Sequence, residues 1–156
     1  MHMPTTAERE EVHDLLCRFF LCFDERGWAM METLLAAEVS VDYASSGREA
    51  PSRMSGPAFV ARRRDAVDTL SKQHSFSNLD VTMAPEGLRA RCNYLILRFS
   101  QDQVAGGDDF FHSCGAYFFD FVRRDGSLKI SGITQHLLRS WGNRDLHGGS
   151  RKNAPA

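Results

Sequence analysis

Residues 110–138, "FFHSCGAYFFDFVRRDGSLKISGITQHLL", predict a β-hairpin. Two stretches rich in apolar residues, near 110–123 and 128–138, flank the dipeptide Asp125-Gly126. This dipeptide favours a two-residue hairpin turn, because both residue types tolerate the positive φ angles that such a turn requires. The stretch therefore predicts two long antiparallel strands joined by a tight turn.

The first of these strands has no clearly polar face. A strand with one face in solvent alternates apolar and polar residues, and cover on both faces removes that alternation. We therefore expect helices or a pocket on one face and a second subunit on the other, in a homodimer or small homo-oligomer. The two alternating sets are Phe110, His112, Cys114, Ala116 and Phe118, and Phe111, Ser113, Gly115, Tyr117, Phe119 and Phe121.

A second hairpin is predicted upstream of the first. The segment "APEG", 84–87, has proline where a reverse turn needs its fixed φ angle, followed by a glycine that tolerates positive φ. It links a strand at 74–83 to one at 88–100. The connection at 101–109 is expected to be a longer mobile loop.

The first half of the chain has a helical pattern instead. From Thr6 the apolar residues follow i, i+3, i+4 spacing, which predicts one buried stripe on a long helix. Gly27 is a plausible end of this helix. The stripe consists of Val12, Leu15, Leu16, Phe19, Phe20 and Phe23.

Two further helices are predicted before the hairpins. One begins at Trp28 and ends near Ala37, and a short strand follows at 39–43. The other begins with Pro57 as its first residue and runs to about Leu70. Helices followed by a long antiparallel sheet predict an α+β fold, in which the helices cover one face of the sheet.

Composition limits the classes of protein that fit this sequence. Its 156 residues are 42% hydrophobic and 25% charged, which suits one domain, predicted at 6–143, with a disordered tail at 144–156. A net charge of −1 offers no excess of cations for nucleic acid, and "ARRR", 61–64, is interpreted as a solvated helix face. No apolar stretch reaches the roughly 20 residues that a membrane-spanning helix needs.

The cysteines and the N-terminus indicate a cytoplasmic protein. Cys17, Cys22, Cys92 and Cys114 are widely spaced without a C-x-x-C pair, and the first residues carry no apolar signal sequence. We therefore expect free thiols. The histidines form no metal-ligand motif, and no phosphate loop or dinucleotide fingerprint occurs, so neither a metal nor a cofactor is expected.

Two residues are candidates for chemistry. In "CFDERGW", 22–28, Asp24 extends the row of Leu16 and Phe20, so its carboxylate would point inward or toward a cavity rim. His74 begins the first long strand, with Asn78 on the same side. Spacing alone leaves a structural interpretation open for each: a polar residue at a helix end, and a histidine with no catalytic role.

Several motifs in order resemble the SnoaL-like branch of the nuclear-transport-factor-2-like superfamily, and scytalone dehydratase-type lyases most of all. The motifs are "CFDERGW", then "VSVDY" at 39–43, "KQH" at 72–74, "RRDGSLKISGI" at 123–133 and "RSWGN" at 139–143. The resemblance covers about Glu8 to Asn143. It implies a cone in which three helices pack on the concave side of a curved antiparallel sheet, with a pocket between them.

The resemblance also implies roles for individual residues. Asp24 and His74 match an aspartate that orients a catalytic histidine, and Tyr43 matches a tyrosine that binds the substrate's oxygen. Other polar residues of the lyases fall on Phe23, Phe99 and, nearby, on Ala116 and Phe118. The pocket is therefore expected to be more apolar than in those lyases.

We therefore expect a cofactor-independent lyase or isomerase for a small apolar or polycyclic molecule, such as a polyketide or steroid-like compound. His74 would be the general base, Asp24 its orienting partner and Tyr43 the group that polarises an oxygen. Two alternatives are a ligand-binding or scaffold protein and the small subunit of a ring-hydroxylating dioxygenase. The expected substrate contacts are Phe19, Phe23, Trp28, Asn78, Tyr94, Phe99, Phe118 and Trp141.

Overall fold

Helices occupy the first half of the chain and long strands the second, in a computed structural model that describes residues 2–102 and 104–147. The helices are α1 (Thr6–Glu25), α2 (Trp28–Leu34) and α3 (Gly56–Arg64). The strands are β1 (Leu35–Asp42), β2 (Ser52–Ser55), β3 (Ser71–Ala84), β4 (Gly87–Phe99), β5 (Phe111–Arg124) and β6 (Ser127–Gly142). Short 3₁₀ turns follow β1 and β6, at Ala44–Ser46 and Arg144–Leu146.

The six strands form one curved sheet in the order β2-β1-β6-β5-β4-β3, which confirms the predicted α+β cone with three helices. The sheet is mixed and not wholly antiparallel, because β1 pairs with β6 in parallel. That pairing needs a crossover, and α3 and β3 to β5 lie between the two strands in the sequence.

Both predicted hairpin turns are present. Asp125 and Gly126 have φ angles of 50° and 79°, as a two-residue hairpin turn with a left-handed backbone requires. At the other turn, Ala84 pairs with Gly87 across Pro85 and Glu86. The apolar strand pattern and the turn residues together fixed where β3 to β6 lie.

Element boundaries differ from the prediction where tertiary pairing overrides the local pattern. Helix α2 ends at Leu34, because Leu35 already pairs with Ile130 of β6. Helix α3 ends at Arg64, six residues before the predicted end at Leu70. The edge strand β2 was not predicted.

The end of α1 depends on a residue other than the predicted glycine. Arg26 adopts the left-handed conformation, with φ 55°, whereas Gly27 has φ −79° and precedes α2. The Arg26 guanidinium donates hydrogen bonds to the carbonyl oxygens of Asp68 and Leu70, at 2.8 and 3.3 Å. These long-range contacts hold the backbone of Arg26 in a conformation that its own propensity does not favour.

The core lies between α1 and the concave face of the sheet. Phe19 is fully buried and meets Phe119 edge-to-face, with ring centroids 5.8 Å apart, while Phe20 lies 5.5 Å from Tyr117. The face of β5 with Tyr117 and Phe119 is therefore the helix-covered one. The predicted buried stripe of α1 is confirmed over Val12, Leu15, Leu16, Phe19 and Phe20.

The convex face of the sheet has no helix on it. Leu95, Phe99 and Trp141 are about two-fifths exposed there, and Leu138 is 81% exposed.

The predicted disordered tail begins with the ordered turn Arg144–Leu146, held by a hydrogen bond from the Asp145 backbone N–H to the Asn143 side chain. Residues 148–156 of that tail lie outside the described residues. Within the described ranges, no helix has the length and apolar character needed to cross a membrane.

We expect Phe19→Ala to lower the free energy of unfolding by about 3–5 kcal/mol, because it leaves a cavity among four aromatic rings. Leu21→Ala on the half-exposed side of the same helix is the control, with an expected change of about 0.5 kcal/mol or less. Urea denaturation followed by circular dichroism measures both. An equal loss of unfolding free energy in the two variants would contradict the assignment of Phe19 to the buried face of α1.

Candidate active site

The structure brings Asp24 and His74 into direct contact. The Asp24 carboxylate accepts a hydrogen bond from His74 Nδ1 at 2.5 Å. It also accepts from the backbone N–H of His74, at 3.0 Å to Oδ1 and 2.9 Å to Oδ2. One carboxylate therefore fixes both the backbone and the ring of the histidine.

Local sequence explains why this contact forms. Asp24 lies in the last turn of α1, one turn after Phe20, and so points toward the sheet as the helical spacing predicts. A helix C-terminus disfavours a carboxylate electrostatically, and α1 has no basic residue in its last turn. The backbone N–H and Nδ1 of His74 offset this unfavourable interaction by donating hydrogen bonds to the Asp24 carboxylate.

The contact also sets the chemical state of the imidazole. Because the carboxylate is an acceptor, Nδ1 carries the ring proton and Nε2 is left with a lone pair. Nε2 makes no hydrogen bond within residues 2–102 and 104–147. Burial lowers the pKa of His74 below 6.5, and the hydrogen bond and charge of Asp24 offset part of that effect. The imidazole is therefore neutral at pH 7.

Two phenylalanines hold the ring of His74 in place. Phe23 lies nearly parallel to it, at 25° with centroids 5.1 Å apart, and Phe20 lies at 22° and 5.9 Å. The side chain of His74 is 7% exposed. Aromatic cover keeps water from the imidazole and accounts for the desolvation that lowers its pKa.

His74 lines a cavity of about 350 Å³ between the concave face of the sheet and α3. Of the predicted site residues, Phe23, Trp28, Tyr43 and His74 line it, and Asp24 lies behind His74. The other lining residues on the sheet are Lys72, Ile96, Arg98, Phe111, Ser113, Tyr117, Gln135, Leu137 and Ser140.

Six predicted contacts do not line this cavity. Phe19 and Tyr94 are buried in the core, and Asn78 is exposed at a bulge of β3, with φ 53°. Phe99, Phe118 and Trp141 lie on the convex face, because each alternates with a residue that points inward. The prediction is wrong for these six residues, because the alternation of side chains along a strand, the bulge of β3 or packing in the core directs each of them away from the cavity.

The cavity is more polar than expected. Polar residues of the lyases fall on Phe99 and near Ala116 and Phe118, and these three positions face outward. Polar groups come instead from inward positions nearby: Arg98, Ser113 and Tyr117. The Tyr117 hydroxyl accepts a hydrogen bond from Gln135 Nε2 at 2.8 Å. The alternation of side chains along β3 could have identified Lys72 as a lining residue, because it lies two residues before His74 and on the same face.

Tyr43 is buried at the cavity wall, 5% exposed. Its ring lies edge-to-face with Tyr117, with centroids 6.4 Å apart, and the Arg63 guanidinium lies 5.4 Å from its centroid. Burial raises the pKa of Tyr117 well above its usual value, and nearby Tyr43 adds to this effect. The Tyr117 hydroxyl therefore stays protonated.

The predicted solvated face "ARRR" contributes to the cavity mouth. Arg62, Arg63 and Arg64 all line it, and only Arg63 is largely buried. Arg62 and Arg63 pair with Glu49, at 2.8 and 3.4 Å. The two exposed members fit the prediction, whereas Arg63 packs over the Phe59 ring at 3.4 Å.

Comparison with known proteins identifies related sequences and folds. The profile of one family, described as the SnoaL-like domain, matches residues 4–134. No curated protein matches the chain.

Three solved structures illustrate the similarity. A candidate scytalone dehydratase from Novosphingobium aromaticivorans has a TM-score of 0.70 at 14% identity, over 88% of this chain and 89% of that one. Hexachlorocyclohexane dehydrochlorinase LinA-type3 from Novosphingobium barchaimii has 0.70 at 17%, over 88% and 91%. The beta subunit of a candidate aromatic-ring-hydroxylating dioxygenase from N. aromaticivorans has 0.63 at 16%, over 85% and 92%. At such identities the likeness shows a shared fold.

We expect nuclear magnetic resonance titration of ¹⁵N-labelled protein to give His74 a pKa below 6.5 with the proton on Nδ1. Asp24→Asn should lower that pKa further, because the hydrogen bond and the charge of Asp24 both raise it. Asp14→Asn, beside the exposed His13, is the matched control and should leave His74 unchanged. A His74 that titrates above 6.5, or is indifferent to Asp24→Asn, would contradict this electrostatic account.

Proposed function

Because this chain belongs to the SnoaL-like domain family, as its sequence motifs predicted, we propose that it is a cofactor-independent lyase or isomerase. His74 removes a proton from a small cyclic substrate, Asp24 orients the imidazole, and Tyr43 binds a substrate oxygen. The observation that carries the proposal is the 2.5 Å contact between Asp24 and His74 Nδ1 at the wall of a cavity.

The reaction begins with proton transfer to the base. Nε2 of His74 takes a proton from a carbon next to a carbonyl, and the C–H electron pair moves into an enolate. In elimination, that pair forms a C=C bond as a vicinal hydroxyl or halide leaves with its bonding electrons, and the imidazolium protonates a departing hydroxyl. In isomerisation, the imidazolium returns the proton to another carbon.

The surroundings of His74 suit this chemistry. The Asp24 carboxylate stabilises the imidazolium that forms, and its position on Nδ1 leaves Nε2 for the substrate. Tyr43 and the protonated Tyr117 offer hydroxyl groups to a carbonyl or enolate oxygen in the same cavity. The phenylalanines beside the ring exclude water, which strengthens these interactions.

The alternatives predicted from the sequence have weaker support. A scaffold protein or dioxygenase subunit would use the fold for assembly and needs no cavity, whereas this chain has one of about 350 Å³ beside a buried histidine. Two of the three structural neighbours carry the names of a candidate dehydratase and a dehydrochlorinase, and both names denote elimination reactions. We therefore favour the lyase.

We also infer that two copies associate through the convex face of the sheet. Leu95, Phe99, Leu138 and Trp141 are exposed there, and Phe118 is half-buried. A two-fold interface brings one patch against its own copy, and apolar side chains can pack against identical side chains without a complementary charge.

We expect His74→Ala to lower kcat by roughly 10²–10⁴-fold, the usual contribution of a general base. Asp24→Asn should slow turnover with little effect on substrate binding, because it disturbs the tautomer. Hydroxylated and halogenated cyclic ketones are the test substrates, with deuterium exchange at the acidic carbon as the assay. His136→Ala, on the convex face, is the control. Tight binding without exchange, or unchanged exchange in His74→Ala, would refute the lyase.

Light scattering coupled to size exclusion should give a homodimer or small homo-oligomer at micromolar concentration. Leu138→Glu should shift the protein toward the monomer, because it places a charge in the apolar patch. Leu21→Glu, at an exposed position on α1, should not. A wild-type monomer would refute this interface.

A further inference from the structure

Arg98 is a buried cation at the floor of the cavity. It is 5% exposed and lies on the concave face of β4. Its Nη1 donates hydrogen bonds to Ser113 Oγ at 3.0 Å and to the Phe111 carbonyl oxygen at 3.4 Å. Both partners are neutral, so they orient the guanidinium without balancing its charge.

No carboxylate pairs with Arg98. Within residues 2–102 and 104–147, none lies within 4 Å of its guanidinium, and Nε and Nη2 have no acceptor. The Tyr94 hydroxyl is the one fully buried side-chain nitrogen or oxygen in those ranges without a hydrogen-bond partner. Nε and Nη2 are therefore accessible, and because Arg98 lines the cavity, they face into it.

The acids at the cavity are already paired. Asp68 forms an ion pair with Lys72, and Glu49 pairs with Arg62 and Arg63. The cavity thus has an excess of positive charge in a chain whose net charge is −1. Its lining contains two acids, Asp68 and Glu49, against Arg26, Arg48, Arg62, Arg63, Arg64, Lys72, Arg98 and Arg144.

Such a charge is costly unless a ligand balances it. A buried ion without an oppositely charged partner loses hydration that hydrogen bonds to neutral groups replace only in part. Burial, followed by repulsion from Arg48, lowers the pKa of Arg98 to about 10, so the group still carries its charge at pH 7. Stability alone would favour an apolar residue at this position.

We propose that Arg98 binds a carboxylate of the substrate, so that the cavity takes a cyclic carboxylic acid. This inference rests on the proposed function for the reacting end of the molecule, which lies at His74. It replaces the largely apolar substrate that the sequence predicted. A guanidinium edge with Nε and Nη2 free matches the two oxygens of a carboxylate in a bidentate pair.

Strand register places the two ends of the substrate close together. His74 pairs with Ile96, and Arg98 is two residues farther along β4 on the same face. Such diagonal neighbours are about 7–8 Å apart in an antiparallel sheet. One small ring system therefore spans the base and the guanidinium, with Ser113 and Tyr117 beside it.

A bound carboxylate would also raise the pKa of His74. The charges of Arg98 and Lys72 lower the pKa of His74, beside the larger effects of burial and of Asp24. An anion between these cations and the imidazole opposes their repulsion and stabilises the imidazolium. The substrate would then raise the proton affinity of the base that attacks it.

Equilibrium binding of 2-naphthoate, 2-naphthamide and 2-naphthyl phosphate to the full chain tests the proposal by calorimetry at fixed ionic strength. We expect the carboxylate to bind about 10- to 100-fold more tightly than the amide, as charge-assisted hydrogen bonds allow. In the same complexes, the pKa of His74 should rise with the carboxylate and not with the amide. Equal binding of acid and amide, or tighter binding of the phosphate, would overturn the proposal.

Variants separate recognition from a structural role. Arg98→Met should abolish the preference for the acid, and Arg98→Lys should restore part of it, whereas Arg89→Met on the convex face should keep it. A preference that persists in Arg98→Met overturns the proposal. If Arg98→Met does not fold, two measurements on the wild-type protein still test the proposal. They are its preference for the acid over the amide and the pKa of His74 in the two complexes. Binding requires no turnover, so loss of deuterium exchange alone would refute the lyase and not this site.

Discussion

The carboxylate of Asp24 connects the helical layer of this protein to its sheet. It accepts hydrogen bonds from the backbone and the ring of His74, at the point where α1 ends and β3 begins. At the other end of the helix, Arg9 donates to the carbonyl oxygen of Val81. The helix is thereby held along the length of β3. The contact that fixes its position is also the one that fixes the histidine tautomer, so fold and chemistry depend on the same group.

Charge is distributed unevenly between the cavity and the rest of the molecule. The chain is nearly neutral, yet the cavity lining is strongly cationic. Such a lining produces a positive electrostatic potential in the cavity, which the low-dielectric walls focus and which attracts anions. Asp24 opposes this field locally at His74, and burial keeps the imidazole neutral. The hydrogen bond and the charge of Asp24 raise the pKa of His74 and so oppose the effect of these cations.

The fold by itself does not determine the chemistry. At 14–17% identity, the same architecture occurs in a candidate dehydratase, a dehydrochlorinase and a dioxygenase beta subunit. Function therefore depends on which side chains the concave face directs into its cavity. In this chain they are a histidine with an aspartate behind it, two tyrosines and a guanidinium without an acid partner.

The sequence by itself indicated the three helices and the four long strands, and its resemblance to the family implied the pairing of Asp24 with His74. Helical spacing placed Asp24 on the buried row of α1, and the turns at 84–87 and 125–126 fixed the hairpins, because these signals are local. Only the tertiary structure decided which face of each strand points inward, since a shift of one residue reverses every side chain. Phe99, a predicted wall of the pocket, therefore faces outward, and Arg98 is the residue of β4 that faces the cavity. The parallel pairing of β1 with β6 and the left-handed backbone of Arg26 likewise depend on partners distant in the sequence, which no local pattern encodes.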